Sequence, residues 1–337
     1  MSEYRSLKGT KVKFYTDDFT ASNAREGELF FSDDDKEMKI VNQVESWASG
    51  GNLNVARRDI VGFGIQTAAV AAGGRTGNSS PFSQSAKSEE YNGSAWANGE
   101  DTKTTAGTRG ACGTLTTGLV FGGEGPGNDE SEEYNGTSYT EGNDLNVGRY
   151  GIAGSGTQAA ALGAGGHTPG DSVGRDNAVE EYNGTSWTNV TDMPAARYES
   201  RLAGLQTAAL LTGGGNAGGT ANLATSLEYD GTNWTSGGNM AVATASHGTA
   251  GTQTDSLIFG GSTTTRVVKT YNYDGTTFAV TSDMATARMA MSDVSEGSTS
   301  GLALAGGGYT GTASLATTEE FTRSAVLKTV TDTDISI

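Results

Sequence analysis

Few residues in this chain of 337 could do chemistry, and they are widely spaced. There are two histidines, His167 and His247, and one cysteine, Cys112. Arg57, Arg149, Arg197 and Arg288 each lie 10 residues after an aromatic, and Arg109 lies 13 after its own. Those aromatics are Trp47, Tyr139, Trp187, Phe278 and Trp96, with Trp234 completing the series and Thr244 standing where its arginine would be. Guanidinium groups gathered in a ring could grip a carboxylate. Aromatic stripes could stack sugars. Zinc needs more His and Cys than are present. No nucleophile–base pair is recognisable, and the glycine-rich stretches lack the Lys and strand–helix setting of a phosphate loop. No catalytic residue, cofactor or metal is expected. Cys112, in Gly110-Ala111-Cys112-Gly113, reads as a small thiol packed on a buried strand. Asp33-Asp34-Asp35 lacks the spaced ligands of a calcium loop and reads as a solvated turn.

Composition narrows the partners. The net charge is −17, with no basic cluster to neutralise phosphates, so neither nucleic acid nor an anionic membrane surface is expected. No run reaches transmembrane length, and Met1-Ser2-Glu3-Tyr4-Arg5 is not the opening of a signal peptide. Synthesis in a reducing compartment without membrane insertion is the expectation. Gly numbers 51 and Pro only 4, so the turns are made mostly with glycine.

The elements that must position these residues repeat. Glu181-Tyr182-Asn183-Gly184-Thr185-Ser186-Trp187 recurs at Glu90, Glu133 and Glu228, and more loosely at Asn272. Each copy reads as strand, Asn-Gly or Asp-Gly turn, strand. A Gly-Gly pair closes an apolar run ahead of each copy, as in Leu119-Val120-Phe121-Gly122-Gly123. Successive aromatics are 43 to 49 residues apart, and aromatic to second glycine is 27 in five units and 29 in the sixth. Four short strands, A to D, on such a period mean a propeller blade. In the fourth unit, A starts near Arg197-Tyr198, B is Ala208-Ala209-Leu210-Leu211, C is Ser226-Leu227-Glu228-Tyr229 and D is Asn233-Trp234-Thr235. The fold class expected is all-β: a six-bladed propeller over 44–327, an N-terminal β-hairpin attachment segment over 1–43 and a C-terminal tail over 328–337. Trp47 is favoured over Val326 as the outer strand closing the sixth blade. The hairpin is placed at Glu28-Leu29-Phe30-Phe31-Ser32 and Glu37-Met38-Lys39-Ile40-Val41.

Trp187, Met193-Pro194, Arg197, Gly213-Gly214 and Glu228-Tyr229-Asp230 resemble the kelch repeat, and the resemblance extends over 45–325. It departs in that Pro follows Met only in the fourth unit. It implies a structural arginine bonded between blades; the aromatics, recurring at fixed places in every blade, read as core. The phrases Ser49-Gly50-Gly51-Asn52-Leu53-Asn54-Val55-Ala56-Arg57, Gly154-Ser155-Gly156-Thr157-Gln158 and Glu89-Glu90-Tyr91-Asn92-Gly93 further resemble kelch-like tail and fibre proteins of marine bacteriophages, especially cyanophages. Enzymatic propellers fit less well. The sialidase Asp box has a residue between Asp and Gly, whereas Asp230-Gly231 are adjacent. A copper site of the galactose-oxidase kind needs His167, His247 and Cys112 to converge, and their positions in the repeat do not.

Strand alternation puts the B–C and D–A loops on one face. The length variation lies in B–C, and a rigid ring with one face of diverse loops is the layout of a binding surface. Phe82, His167, Arg175, Arg266 and Tyr309 are the residues there best able to supply contact energy. The resemblance implies a non-enzymatic virion tail component, made in the host cytoplasm and carried on the tail. Residues 1–43 would bind other tail proteins, and the B–C face would bind a host-surface glycan or protein. The alternative is a cytosolic kelch-type protein-interaction scaffold.

Overall fold

A computed structural model describes residues 13–15, 29–32, 36–78, 82–125, 127–170, 174–292 and 301–330. Every regular element among them is a strand. The chain forms two compact units, residues 47–321 and residues 1–46 with 322–337.

The unit 47–321 is a six-bladed β-propeller. Blades 1 to 5 are four-stranded antiparallel sheets whose strands follow chain order. Their A strands are Val61–Ile65, Gly110–Thr114, Ala153–Thr157, Arg201–Leu205 and Gly248–Gly251. These touch one another in succession around the axis. The B strands carry continuous apolar runs, such as Ala208–Thr212, because a blade is covered on both faces by its neighbours. Blade 6 is built from both ends of the unit. Leu302–Gly306 pairs with Thr318–Thr329, and that strand pairs with Glu37–Ser49, whose residues 47–49 lie in this unit. Trp47 packs on Phe321 at 5.4 Å and on Phe259 at 5.1 Å, and donates to Thr270 Oγ1 at 3.1 Å. Val326, the alternative, is 39% exposed. Ser292 pairs with Gly306, and residues 293–300, where an A strand would follow, lie outside the described residues.

Two local readings are corrected. Arg197–Tyr198 is not the start of strand A: it pairs with Gly215–Asn216, and A begins at Arg201. The Asn-Gly turns are four-residue loops, since Tyr91 pairs with Trp96 and Tyr182 with Trp187. Only the glycine has positive φ, and the asparagine folds its side chain back instead. Asn183 Oδ1 accepts from the N–H groups of Thr185 and Ser186 at 3.0 and 2.9 Å. Asp230 and Asp274 do likewise, and those N–H donors lower their pKa values.

The Gly-Gly pairs join the blades. Gly214 N–H donates to Thr244 O at 3.0 Å, and a Cβ on Gly213 would sit 2.2 Å from the same oxygen. Only glycine allows that approach. The bond recurs at every seam, ending with Gly308 N–H to Arg57 O at 2.9 Å, which shuts the circle. A glutamine in the A–B turn adds a second link. Gln158, Gln206, Gln253 and Gln66 each donate Nε2 to two carbonyls of the preceding blade.

In the other unit, Leu29–Ser32 pairs antiparallel with the start of Glu37–Ser49, from Leu29 opposite Ile40 to Ser32 opposite Glu37. This is the expected hairpin; Asp33-Asp34-Asp35 lies outside the described residues. Lys13–Tyr15 runs parallel to Leu29–Ser32. The C-terminal strand continues through Thr329 in the same sheet, and Val330 N–H donates to Met38 O at 2.8 Å.

Candidate functional site

The arginine series is spent inside the blades. Arg57, Arg149 and Arg288 are fully buried. Arg149 donates to Gly165 O at 2.9 Å, Ala178 O at 2.6 Å and Glu180 Oε1 at 2.8 Å, clamping the end of strand B to the start of C. Arg57 and Arg288 repeat this with Glu89 and Glu319. Arg109, from a different sequence position, reaches Gly122 O and Glu132. Each side chain therefore stays within one blade. Only the main chain of this position crosses a seam, as at Arg57 O. Burial lowers the guanidinium pKa values while the glutamates oppose it. Arg197 lacks such a glutamate, and burial takes it down to about 10.

The repeated aromatics pack into the core too: Trp96, Tyr139 and Trp187 are buried, and Trp47, Trp234 and Phe278 lie half-buried against its clusters. Trp187 packs on Phe121 at 4.7 Å and Tyr182 at 5.1 Å, and donates to Ser131 Oγ at 2.9 Å. His247 is buried with Nε2 on Thr212 Oγ1 at 2.8 Å, and burial depresses its pKa to about 3. Cys112 is buried on strand A of blade 2. Among the described residues no group of three or more His, Cys, Asp or Glu is arranged to hold a metal ion.

What remains is the face carrying the D–A and B–C connections, and it is built as concentric rings. The innermost is made of main chain. Asp59, Thr108, Gly151, Glu199, Ser246 and Ala290, one ahead of each blade, all have φ between 52 and 62°. Each N–H donates to the carbonyl of the one before: Thr108 to Asp59 at 3.1 Å, Gly151 to Thr108 at 2.7 Å, and Glu199, Ser246 and Ala290 in turn at 2.9 Å. Asp59 returns to Ala290 at 2.8 Å. Six peptide groups close a circle about the axis. Five of the six residues are not glycine and bear the cost of the left-handed conformation.

These residues, with Arg109 and Arg201, line a shallow axial depression. Ser246 Oγ donates to Glu199 Oε2 at 2.6 Å. Burial raises the Asp59 pKa, Glu199 adds to the rise, and Arg75, Arg58 and Arg201 oppose it.

The second ring consists of bridged pairs. The residue before each left-handed position pairs with the residue after a Gly-Gly: Arg58 with Arg75, Gly107 with Glu124, Tyr150 with His167, Tyr198 with Gly215, Ala245 with Ser262, and Met289 with Tyr309. The B–C loops rise from these pairs and are tied to each other. Ser314 bonds Asn78 Oδ1 and Gly77 O across the seam between blades 6 and 1, and Asn222 Nδ2 donates to Ser262 O at 2.7 Å.

Of the five residues singled out from sequence, three meet. Arg58 lies with its guanidinium carbon 3.9 Å from the Phe82 ring centroid and 4.1 Å from that of Tyr309, and Arg266 lies 5.3 Å from the Tyr309 centroid. Phe82, Arg58, Tyr309 and Arg266 thus form a ladder of alternating rings and cations drawn from blades 1, 6 and 5. Arg75 flanks it, 5.9 Å from Phe82 and paired with Asp59 and Glu124. The other two belong to a second cluster. His167 stacks on Tyr150 at 4.7 Å and pairs with Arg175, whose guanidinium lies 4.1 Å from the Tyr198 centroid.

Sequence reasoning missed Arg58, Tyr150, Tyr198 and the inner ring. Its available signal was position: Arg58, Tyr150, Tyr198 and Met289 each directly follow a buried arginine, where the chain turns onto the face. No family model and no curated protein matches this chain.

Proposed function

We propose that this chain is a non-enzymatic binding component of a phage virion tail, of the kelch-like kind. A propeller suits an interaction scaffold, since a rigid ring presents loops without needing them for stability. The observation that carries the reading is the asymmetry of its two faces. One face holds two arginine–aromatic clusters on loops tied across the blade seams, while the other holds short, uniform four-residue turns. Arginines braced on rings are pre-ordered, so little side-chain freedom is lost on contact. The titratable groups of the repeat, by contrast, are bound up in the core, which leaves little for turnover. The phrases that resemble cyanophage tail proteins support the virion reading, with the N-terminal hairpin unit as the attachment to neighbouring tail proteins and the loop face turned to a host surface.

The test has two arms. The protein should be found by mass spectrometry in purified particles of a phage that encodes it. Replacing 79–85 and 170–176 with short Gly-Ser links should abolish binding to host cells while leaving melting nearly unchanged, because loop length adds little closure cost. Full binding by the double replacement would overturn the assignment of this face. Absence from the particle, with binding to a cytosolic protein, would favour a scaffold instead.

A further inference from the structure

The ladder at the seam of blades 5, 6 and 1 has a chemical preference. Its last cation, Arg266, has no carboxylate within ion-pair distance among the described residues, and its buried Nε has no hydrogen-bond partner there; its guanidinium lies 5.3 Å from the Tyr309 centroid and against Gly311. The buried arginines Arg57, Arg109, Arg149 and Arg288 all hold a glutamate. Arg58 shares only Asp59, at 3.8 Å, with Arg75 at 3.5 Å. Three arginines thus face two carboxylates, Asp59 and Glu124, leaving local positive charge on a chain of net −17. The rings already engage guanidinium groups, so recognition falls to the arginine edges, and a planar fork matches a carboxylate.

The surroundings select the carrier. Among the described residues no exposed large hydrophobic lies in a B–C loop. A protein partner normally inserts an apolar core at its contact; the described B–C loops offer no exposed aliphatic counterpart, and the exposed Val242 lies on the D–A connection between blades 4 and 5. It offers hydroxyls and amides instead, from Thr76, Ser83, Gln84, Thr310, Thr312 and Ser314. Resting on the assignment of the B–C face as the binding face, we infer that this seam binds the carboxylates of an acidic polysaccharide, with Arg266 as the principal contact and Arg58 beside it. Charge attraction here is short-ranged: screening at physiological salt acts over about 8 Å, so the patch outweighs the net negative charge only at contact.

The experiment is calorimetric titration of the full chain with oligomers of galacturonic and of mannuronic acid. Their methyl esters and poly-glutamate are run alongside. Uronate oligomers should bind, and the esters and poly-glutamate should not. Arg266→Ala should weaken uronate binding about tenfold or more, the loss of a charged hydrogen bond, with the melting curve unmoved. Arg266→Lys should recover part of it. Equal binding of the esters, equal binding of poly-glutamate, no uronate binding, or an unaffected Arg266→Ala would each overturn the inference. Failure here separates from failure of the face assignment. If loop replacement still abolishes host-cell binding while uronates do not bind, the face stands and the acidic polysaccharide falls.

Discussion

Tyr182 donates its phenol proton to Glu133 of the preceding blade, at 2.7 Å. Tyr229 does the same to Glu181 at 2.9 Å, and Tyr91, Tyr134 and Tyr273 to Glu320, Glu90 and Glu228. At the seam of blades 5 and 6, Asn272 stands in the carboxylate's place and Phe321 in the phenol's, and Asn272 Oδ1 is buried without a partner. Tyr182→Phe should cost about 1.5–3 kcal/mol, the range for a hydrogen bond to a charged group. The double change Asn272→Glu with Phe321→Tyr should couple favourably by about 1 kcal/mol in a double-mutant cycle. Denaturant titration of the five proteins, wild type, Tyr182→Phe, the two single changes and the double, measures both. Additive single effects would show that the latch does not form there.

The same phenols set an alkaline limit. Burial first, and the glutamate second, raise Tyr91 and Tyr273 to about 12, and raise Tyr134, Tyr182 and Tyr229 further. A raised folded-state pKa gives stability that is whole below the ordinary tyrosine value near 10 and is lost as pH climbs through the folded value. Melting temperature should hold flat to about pH 10 and then fall, and Tyr182→Phe, which has lost one of these phenols, should fall less steeply above pH 10. Equal slopes for the two proteins would contradict this.

At the acid end the sensitive group is His247. Burial, with Arg201, holds its pKa near 3, below the ordinary 6.5. Between those values the unfolded chain binds a proton that the native chain does not. Stability should therefore drop as pH falls through that window, by up to about 1.4 kcal/mol per unit from this residue. His247→Gln should flatten the slope between pH 6 and 4, as read by denaturant titration at each pH.

Glycine appears in the inner ring only at Gly151, and a Cβ there would meet nothing nearer than 3.5 Å. Space is available, so only φ opposes a side chain. Gly151→Ala should cost about 1 kcal/mol, and Thr108→Gly should stabilise by up to about 1 kcal/mol by relieving a β-branched residue at φ 55°. Thermal melting of the two variants, moving in opposite directions, is the check.

Trp47→Ala should cost about 3 kcal/mol, by loss of contact with Phe259 and Phe321 and of the bond to Thr270. Val326→Ala should stay within about 0.5 kcal/mol, as exposed substitutions do. The reverse order would place closure of blade 6 at Val326.

The propeller was legible because its signals are local and repeated. Tyr-Asn-Gly, the Gly-Gly pairs and the aromatics recur at fixed offsets, and the structure uses each at the same point of every blade. The turn geometry was misread because Asn183 tolerates positive φ but has a second option in its own side chain, and takes it. The site was half legible. Phe82, Arg266 and Tyr309 were picked for chemistry, one by one. Their meeting depends on Arg58, which sits next to a buried arginine and differs from it only in the direction the backbone turns. Sequence offsets do not encode that direction. The left-handed residues hid for the same reason: Asp59, Thr108, Glu199, Ser246 and Ala290 share a conformation but no side-chain type.

The circle of peptide bonds at the axis makes blade number a property of the whole molecule. An open stack of repeats can lose or gain a terminal unit and keep every other contact. Here each of the six peptides is donor to one neighbour and acceptor to the other. Deleting a unit leaves a donor and an acceptor facing a gap, unless the remaining five re-form at a smaller radius and every seam changes its angle. A chain that grows or shrinks by copying one repeat therefore has no half-way fold to rest in. The B–C loops, which differ in length from blade to blade, lie outside that circle and can change without opening it.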